Sequence, residues 1–292
     1  MGGATRTFPL DPPLSPHLMS PPHTPPSQVY FVAKQLAAPC SPEEFGLALV
    51  THFLAHHPLV SRAKVRVTDA GWTRHHHAGA ESLSPSPSSS QPHAHGFEGG
   101  GRGHRFAVVL ADRSPATQPT VIAGLTGWRV LKTTQSGYAG FARDDWTALG
   151  ETGDRILATS VSASWRYAGA PGGGYDGAFA AVTAALARAF FGPPTVGVFS
   201  PSAQFTLHEM GRAALDAEPS VDSIALTLPN LHFLPCAPLG DRRGFADDVY
   251  VATSEPHGVI EATLVREGRG GRAVTPHVDL WGGDGLGPSA RL

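Results

Sequence analysis

The order of the periodic segments between residues 120 and 267 constrains the fold more strongly than any other feature of this sequence. Apolar and polar side chains alternate over residues 155–167, most clearly from Val161 to Tyr167, as in a strand with one buried face. Strands precede and follow a pair of helices, which predicts an α+β fold with an antiparallel sheet and two helices on one face. The predicted strands are 120–135, 155–167, 220–233 and 248–267, and the predicted helices are 177–191 and 202–217.

The preceding part of the chain contains a shorter version of the same pattern. Residues 41–57 predict a helix, since Ser41 and Glu44 are the residue types that form a capping box at a helix start. We expect this unit to be a domain of the same kind whose opening strands are absent. Its predicted strands are 63–74 and 104–112.

Composition limits the classes of protein to which the chain can belong. Its 292 residues suffice for one large or two ordinary domains, and 41% hydrophobic residues allow a substantial core. A net charge of −2 gives no indication of a nucleic-acid partner. No segment is long and apolar enough to predict a membrane span, and two cysteines cannot form a disulfide framework.

These patterns divide the chain into four parts. The Pro-rich head predicts disorder and the Gly-rich end predicts a flexible tail. A Ser-, Pro-, Gly- and His-rich stretch at 75–105 predicts a loop within the first domain. The parts are a head at 1–26, an incomplete first domain at 27–115, a complete second domain at 116–267 and a tail at 268–292.

Polar residues of the second domain offer a clamp for a flat, oxygen-rich heterocycle. Arg155 presents a planar fork of donors to carbonyl oxygens or an anion, and Gln204 presents a donor and an acceptor to the opposite edge. Tyr138 supplies an aromatic face for stacking. The helix N-terminus at Ala203 adds backbone N–H groups suited to an anion.

Each of these residues, taken singly, also has a structural interpretation. Arg155 beside Asp154 is typical of a surface ion pair. Gln204 in a first helical turn is typical of an exposed capping residue, and Asn230 after Pro229 is typical of a turn or a bulge. The residue types alone leave both interpretations open.

Histidines cluster at 75–77 and at 93–95. A zinc site needs three or four ligands in a defined geometry, whereas these histidines lie in low-complexity sequence without paired cysteines. We therefore predict no metal site and interpret the histidines as structural or incidental. The alternative is a zinc-dependent, pterin-type enzyme on the same fold.

Several motifs of the chain resemble those of urate oxidase (uricase) and occur in the same order. The resemblance runs collinearly from about Val29 to Arg266, roughly four fifths of the chain. The motifs are SPEEFGLALVTHFL, HAHGF, VLKTTQSGYAGF, ETGDRILAT with SASWRY, SAQFTLHEMG, LPNLHF and EPHGVIEATLVR.

The resemblance implies a tunnelling fold (T-fold), in which tandem strand-strand-helix-helix-strand-strand domains assemble as a homotetramer with sites between subunits. It implies oxidation of urate by O2 to 5-hydroxyisourate and hydrogen peroxide without a metal or an organic cofactor. The deprotonated substrate supplies the electrons in such a reaction, so the protein must hold the anion, place O2 and move protons.

The family pattern assigns substrate contacts to residues of this sequence. Arg155 and Gln204 would clamp the edge of urate, with the backbone N–H of Ala203 beside Gln204. Tyr138 stands where the family stacks a Phe, and a Tyr should also stack. The substrate-binding residues implied by the resemblance therefore coincide with the clamp described above.

The catalytic half of the site is represented in part. Asn230 would face the position of O2 or water above the ring, and His232 would belong to a proton relay. The family's tyrosine-glycine-lysine motif and threonine-aspartate pair have no recognisable counterpart here. Loss of a general base costs about 10²–10⁴-fold in rate. The alternative to an active urate oxidase is thus a non-catalytic or truncated purine-binding protein derived from one.

The chain ends in Ala290-Arg291-Leu292, a variant of the small-basic-leucine peroxisomal address. The ending follows a Gly-rich segment, where an import receptor can reach it. We therefore predict a peroxisomal protein, in agreement with the family resemblance.

Overall fold

A computed structural model describes the chain from its first helix to its last strand. Of the predicted head only residue 26 is described, and of the predicted tail only residue 268, so the predicted disorder and the C-terminal address lie outside the described residues. The described residues are 26–36, 40–78, 90–99, 101–114, 116–148, 150–236, 249–254 and 256–268.

Six antiparallel strands form one large sheet. The strands of the chain are β1 Arg62–Thr68, β2 Trp72–Ala78, β3 Ser90–Gly99, β4 His104–Asp112, β5 Thr120–Lys132, β6 Leu157–Tyr167, β7 Val221–Pro229, β8 Phe233–Pro235, β9 Tyr250–Ala252 and β10 Val259–Val265. The large sheet has the order β1-β4-β5-β6-β7-β10. Since β4 pairs with β5, the boundary predicted between residues 115 and 116 lies inside one continuous sheet.

Helices accompany this sheet, and their starts follow the sequence signals. Ser41 accepts the N–H of Glu44 at 3.2 Å and donates its own N–H to the Glu44 carboxylate at 2.8 Å, so the predicted capping box is confirmed. None of the described helices is long and apolar enough to cross a membrane. The helices are α1 Pro26–Gln35, α2 Pro42–His56, α3 Gly174–Phe191 and α4 Ala203–Ala217.

The hydrophobic core lies between the sheet and helices α2, α3 and α4, which cover one face of it. Alternation along β6 turns every second side chain toward the helices, and Trp165 among them is fully buried. Burial of one large apolar side chain stabilises the fold by roughly 1.5–3 kcal/mol. The predicted antiparallel sheet with helices on one face is thus confirmed. A smaller cluster on the opposite face consists of Phe106, Val108 and Ile122.

Arg105 of β4 joins helices from the two halves of the chain. Its guanidinium bonds to Glu43 of α2 at 2.8 Å and to Asp176 of α3 at 2.6 Å, and lies 4.3 Å from the ring centroid of Phe179. Glu43 is fully buried, and burial raises the pKa of its carboxyl group while Arg105 opposes that rise. This charged group therefore fixes α2 against α3.

The single strand predicted over residues 63–74 is wrong at residues 69–71, where a turn divides it into β1 and the start of β2. β1 ends at Thr68, where the carboxylate of Asp69 accepts the N–H of Gly71 at 2.8 Å and Gly71 adopts φ 71°. An Asx turn of this kind, followed by a positive φ that glycine adopts without strain, ends the ladder and redirects the chain.

The loop predicted at 75–105 is also wrong in part, because the chain after this turn forms strands. β2 pairs antiparallel with β3 in a separate two-stranded sheet, and β4 begins at His104. Backbone pairing here overrides a composition that is poor in strand-forming residues. Residues 79–89 of the predicted loop lie outside the described part of the chain.

The strands predicted at 220–233 and 248–267 are both interrupted. β7 stops at Pro229, which has no N–H to continue a ladder, and the chain turns before β8 pairs with β9. β10 begins only at Val259 and pairs with β7. The interruption after Pro229 matters because it contains Asn230 and His232.

Candidate functional site

The chain after β5 folds back on the chain before β6. Tyr138 and Thr152 exchange two backbone hydrogen bonds, of 2.8 Å and 3.0 Å. The N–H of Arg155 donates to the carbonyl oxygen of Ser136 at 2.8 Å. These bonds place Tyr138 and Arg155 on neighbouring stretches of backbone, as a shared site requires.

The same segment also pairs with the residues that lead into α4. Gly137 donates its N–H to the carbonyl oxygen of Ser200 at 2.8 Å, and Ala139 donates to that of Pro201 at 3.2 Å. Ser202 then caps α4 by accepting the N–H of Phe205 at 3.1 Å, as predicted. The start of α4 is thereby held beside the segment that carries Tyr138.

Arg155 has a half-buried side chain at this junction. Its Nε is buried and, among the described residues, has no hydrogen-bond partner. Burial lowers the pKa of its guanidinium, and Tyr138 is the group that opposes this effect. No salt bridge joins it to Asp154 within the described part of the chain, so the structure offers no support for the ion-pair interpretation.

Ser136 adds a second buried polar atom at the junction. Its side chain is fully buried, and its Oγ lacks a hydrogen-bond partner among the described residues. A buried polar group without a partner costs about 1–3 kcal/mol, so such groups are retained where water or a ligand satisfies them. Ser136 and the Arg155 Nε are therefore suited to a polar ligand.

The start of α4 contributes the other two clamp residues. Ala203 is buried, and Gln204 in the first turn is exposed. The capping bond is made by Ser202, so the capping interpretation of Gln204 is not supported. The first N–H groups of a helix have no partner within the helix, which leaves those of Ala203 and Gln204 available.

Tyr138 lies in an aromatic stack. Its ring is parallel to that of Phe141 within 23°, with centroids 4.1 Å apart, and its side chain is half-buried. The Arg143 guanidinium lies 5.5 Å from the Phe141 centroid on the same loop. One face of the Tyr138 ring is therefore covered by Phe141, and the stacking of Tyr138 on a ligand stays a prediction.

Asn230 and His232 follow the end of β7 and return to β6. Asn230 donates its N–H to the carbonyl oxygen of Gly258 at 2.9 Å, and Leu231 donates to that of Ala158 at 3.0 Å. Ala158 is three residues beyond Arg155, so both residues come to the end of β6 where the clamp lies. The ring centroids of His232 and His257 are 6.5 Å apart. The bend at Asn230 is therefore present, and the roles of Asn230 and His232 in the site stay predictions.

The described residues contain no group of three or more His, Cys, Asp and Glu side chains arranged for a metal ion. The rings of His93 and His95 are 6.4 Å apart, and the N–H of His95 donates to Nδ1 of His93 at 3.1 Å. The side chains of residues 75–77 lie outside the description.

Sequence reasoning missed Lys132, which bonds to the segment that leads into Ala203 and Gln204. It is the last residue of β5 and is buried, with its ammonium group bonded to the carbonyl oxygen of Val198 and to the hydroxyl of Ser200. The signal was available, since Trp128, Val130 and Lys132 alternate on the buried side of β5. A lysine at a buried position of a strand is exceptional.

A sheet of this order with helices on one face is a T-fold, and solved uricases share it. The uricase from Arthrobacter globiformis is 34% identical, with a TM-score of 0.70 over 86% of this chain and 77% of that one. A highly active mutant of the urate oxidase from Bacillus sp. TB-90 is 14% identical, with a TM-score of 0.63 over 82% of this chain and 76% of that one, a likeness of fold.

Sequence comparison narrows this class to one family. A uricase of Arabidopsis thaliana is 41% identical over 250 residues, covering 82% of this chain and 76% of its own, and uricase-2 isozyme 1 of Canavalia lineata is 40% identical over 255 residues with the same coverage. The Uricase family model matches residues 121–261, which include every predicted site residue. The chain belongs to the uricase family.

Proposed function

We propose that this chain is a urate oxidase polypeptide that oxidises urate with O2 and water to 5-hydroxyisourate and hydrogen peroxide. The observation that carries the proposal is the backbone pairing that brings Tyr138, Arg155 and the start of α4 onto neighbouring segments, together with a buried guanidinium nitrogen of Arg155 that has no hydrogen-bond partner among the described residues. In a member of the uricase family, that arrangement suits a flat, anionic purine.

The clamp would hold urate in its plane. Arg155 would direct its fork of donors to the carbonyl oxygens and negative charge of one edge. Gln204 would pair with the neighbouring edge through its amide, and the N–H of Ala203 would donate beside it. Tyr138 would stack on the ring, a contact worth roughly 1–3 kcal/mol in base-stacking systems.

The oxidation itself transfers two electrons from the urate anion to O2, so the chain's residues would position reactants and move protons. Asn230, at the bend after β7, would face the position of O2 or water above the ring. His232 would pass protons between the site and the surface. We propose that this chemistry needs neither a metal nor an organic cofactor, because the deprotonated substrate is itself the electron donor.

We further propose that the active form is a homotetramer imported into the peroxisome. The large sheet ends in two open edges, β1 and β10, and the residues of β10 are largely exposed. An exposed edge strand is a template for pairing with another chain. Copies of this chain joined at these edges would cover them, and an import receptor would bind the Ala290-Arg291-Leu292 ending.

The test is aerobic turnover of urate by the purified chain, followed by loss of urate absorbance and by peroxide release. Arg155→Ala and Gln204→Ala should abolish turnover, whereas Arg212→Ala, an exposed arginine of α4 paired with Glu209, should retain it. Urate binding without turnover would replace the proposal with a non-catalytic purine-binding protein. Absence of both urate binding and urate turnover would overturn the proposal.

A further inference from the structure

Lys132 bonds to the segment that leads into Ala203 and Gln204, but it is not itself one of the clamp residues. It ends β5 on the helix-facing side, and its backbone pairs with Leu157, two residues beyond Arg155. Its Nζ donates to the carbonyl oxygen of Val198 at 2.9 Å and to Oγ of Ser200 at 2.7 Å, and lies 5.3 Å from the ring centroid of Phe190. The Lys132 ammonium group thus bonds to residues 198–200, which form one short segment of the chain.

The bond to Ser200 continues into α4. The hydroxyl oxygens of Ser200 and Thr206 are 2.7 Å apart, and Oγ1 of Thr206 lies 3.0 Å from the carbonyl oxygen of Ser202. Each hydroxyl has one proton, so a consistent arrangement has Lys132 donating to Ser200, Ser200 to Thr206, and Thr206 to Ser202. The chain of bonds ends at the residue that caps α4.

Residues 198–202, which these bonds hold in place, lie beside the segment that carries Tyr138. The carbonyl oxygens of Ser200 and Pro201 accept the N–H groups of Gly137 and Ala139, on either side of Tyr138. The same segment leads directly into Ala203 and Gln204. Displacement of residues 198–202 would therefore move the stacking face and the Gln204 edge together, relative to Arg155.

A lysine is chemically suited to this position. Its ammonium group offers several donors to two acceptors, of which the Ser200 hydroxyl is buried. Burial lowers the pKa of Lys132 to about 8, so the charge is retained at neutral pH. A residue without donors would leave the Val198 carbonyl and the Ser200 hydroxyl without this partner.

We propose that Lys132 is a positioning residue for urate, which sets the Gln204 edge of the clamp through Ser200 and the start of α4. The inference rests on the proposed function, since it names a residue that prepares the same site. It assigns no contact between Lys132 and the substrate.

The test compares Lys132→Met with Lys64→Met, an exposed lysine of β1, by urate binding under anaerobic conditions. We expect Lys132→Met to weaken binding by about tenfold, the loss that a displaced hydrogen bond produces, and Lys64→Met to leave it unchanged. Ser200→Ala, which keeps the charge, should weaken binding in the same direction. Equal binding by Lys132→Met and the wild-type chain would overturn the inference.

A double-mutant cycle separates positioning from general loss of stability. If Lys132 acts through the segment that carries Gln204, the loss caused by Lys132→Met should be smaller in the Gln204→Ala background than in the wild-type chain. Additive losses would mean that Lys132 affects binding by another route, and would overturn the inference while leaving the clamp intact.

Amide hydrogen exchange supplies a readout that does not depend on urate. The N–H groups of Gly137 and Ala139 should exchange faster in Lys132→Met than in Lys64→Met, because their acceptors lie on the released segment. Unchanged exchange would overturn the inference even where urate binds. Failure of the wild-type chain to bind urate, with exchange altered as expected, would instead overturn the proposed function and the assignment to urate with it.

Discussion

The backbone N–H of Arg155 donates to the carbonyl oxygen of Ser136 at 2.8 Å, while the side chains of both residues bury a polar atom without a partner among the described residues. The backbone bond fixes the two residues side by side. Their unpaired atoms, Nε of Arg155 and Oγ of Ser136, are features that a folded chain retains at a cost. At the proposed site, water or a polar ligand would satisfy both atoms.

Arg155→Lys should separate substrate affinity from stability. Lysine offers a point charge in place of the planar fork, so urate binding should weaken by roughly 10- to 100-fold. The substitution also removes the buried, unpaired Nε, so the free energy of unfolding should stay the same or rise. Calorimetric titration and urea denaturation of the same preparations check the two effects. If urate affinity and the free energy of unfolding both fell, Arg155 would have a structural role.

Tyr138 should contribute through its ring. Tyr138→Phe retains the stacking face and should bind urate within about twofold of the wild-type chain, while Tyr138→Ala should lose roughly 5- to 100-fold. Tyr30→Ala, at an exposed tyrosine of α1, is the matched control. An equal loss in Tyr138→Phe and Tyr138→Ala would assign the effect to the hydroxyl group and contradict the stacking role.

Arg105→Leu should destabilise the fold strongly. It leaves the carboxylate of Glu43 buried without its partner, at a cost of about 3–5 kcal/mol near neutral pH. Burial already raises the pKa of Glu43, and loss of Arg105 should raise it further, so the deficit should shrink as acid protonates the carboxylate.

The control for Arg105→Leu is Arg62→Leu, whose bond to Asp112 is largely exposed. That change should have little effect on denaturant stability at any pH. Equal losses of stability in the two variants, or an Arg105→Leu deficit that grew on acidification, would contradict a buried charge on Glu43 as the cause.

Lys132 should make stability depend on pH in the alkaline range. Its pKa is lowered from 10.5 to about 8 in the folded chain, so between these values the unfolded chain binds more protons. Stability should therefore rise with pH from about 8 to 10.5, by at most about 3 kcal/mol. The hydrogen bonds to Val198 and Ser200 favour the charged form and reduce this gain.

Denaturant unfolding across that pH range measures the Lys132 effect. Lys132→Met should abolish the rise, and Lys64→Met should preserve it. A slope that is identical in all three chains would assign the alkaline dependence to other groups.

The parts of the fold that sequence predicted are those with a local cause. The capping box at Ser41, the cap at Ser202 and the alternation around Trp165 each act within a few residues, so the sequence pattern contains them. The turn at Gly71 was missed because Asp69 and Gly71 lie within a segment whose alternation predicted one continuous strand. The strand breaks depend on partners that lie far away along the chain.

The candidate site shows the same division. The residue types of Arg155, Gln204 and Tyr138 indicated a clamp, and the family resemblance gave each a role. The resemblance did not reveal that Ser136 buries an unpaired hydroxyl, or that Lys132 reaches the segment before α4. Both depend on which segments of backbone pair beyond the ends of the strands, which residue types do not determine.

The single six-stranded sheet has a consequence for how the chain loses its structure. β4 and β5 share one ladder, and Arg105 bonds to a helix on each side of it. Unfolding of either half would expose the strand of the other half that pairs with it. We therefore expect the two sequence halves to form one cooperative unit, with one calorimetric transition on heating in which both halves unfold together.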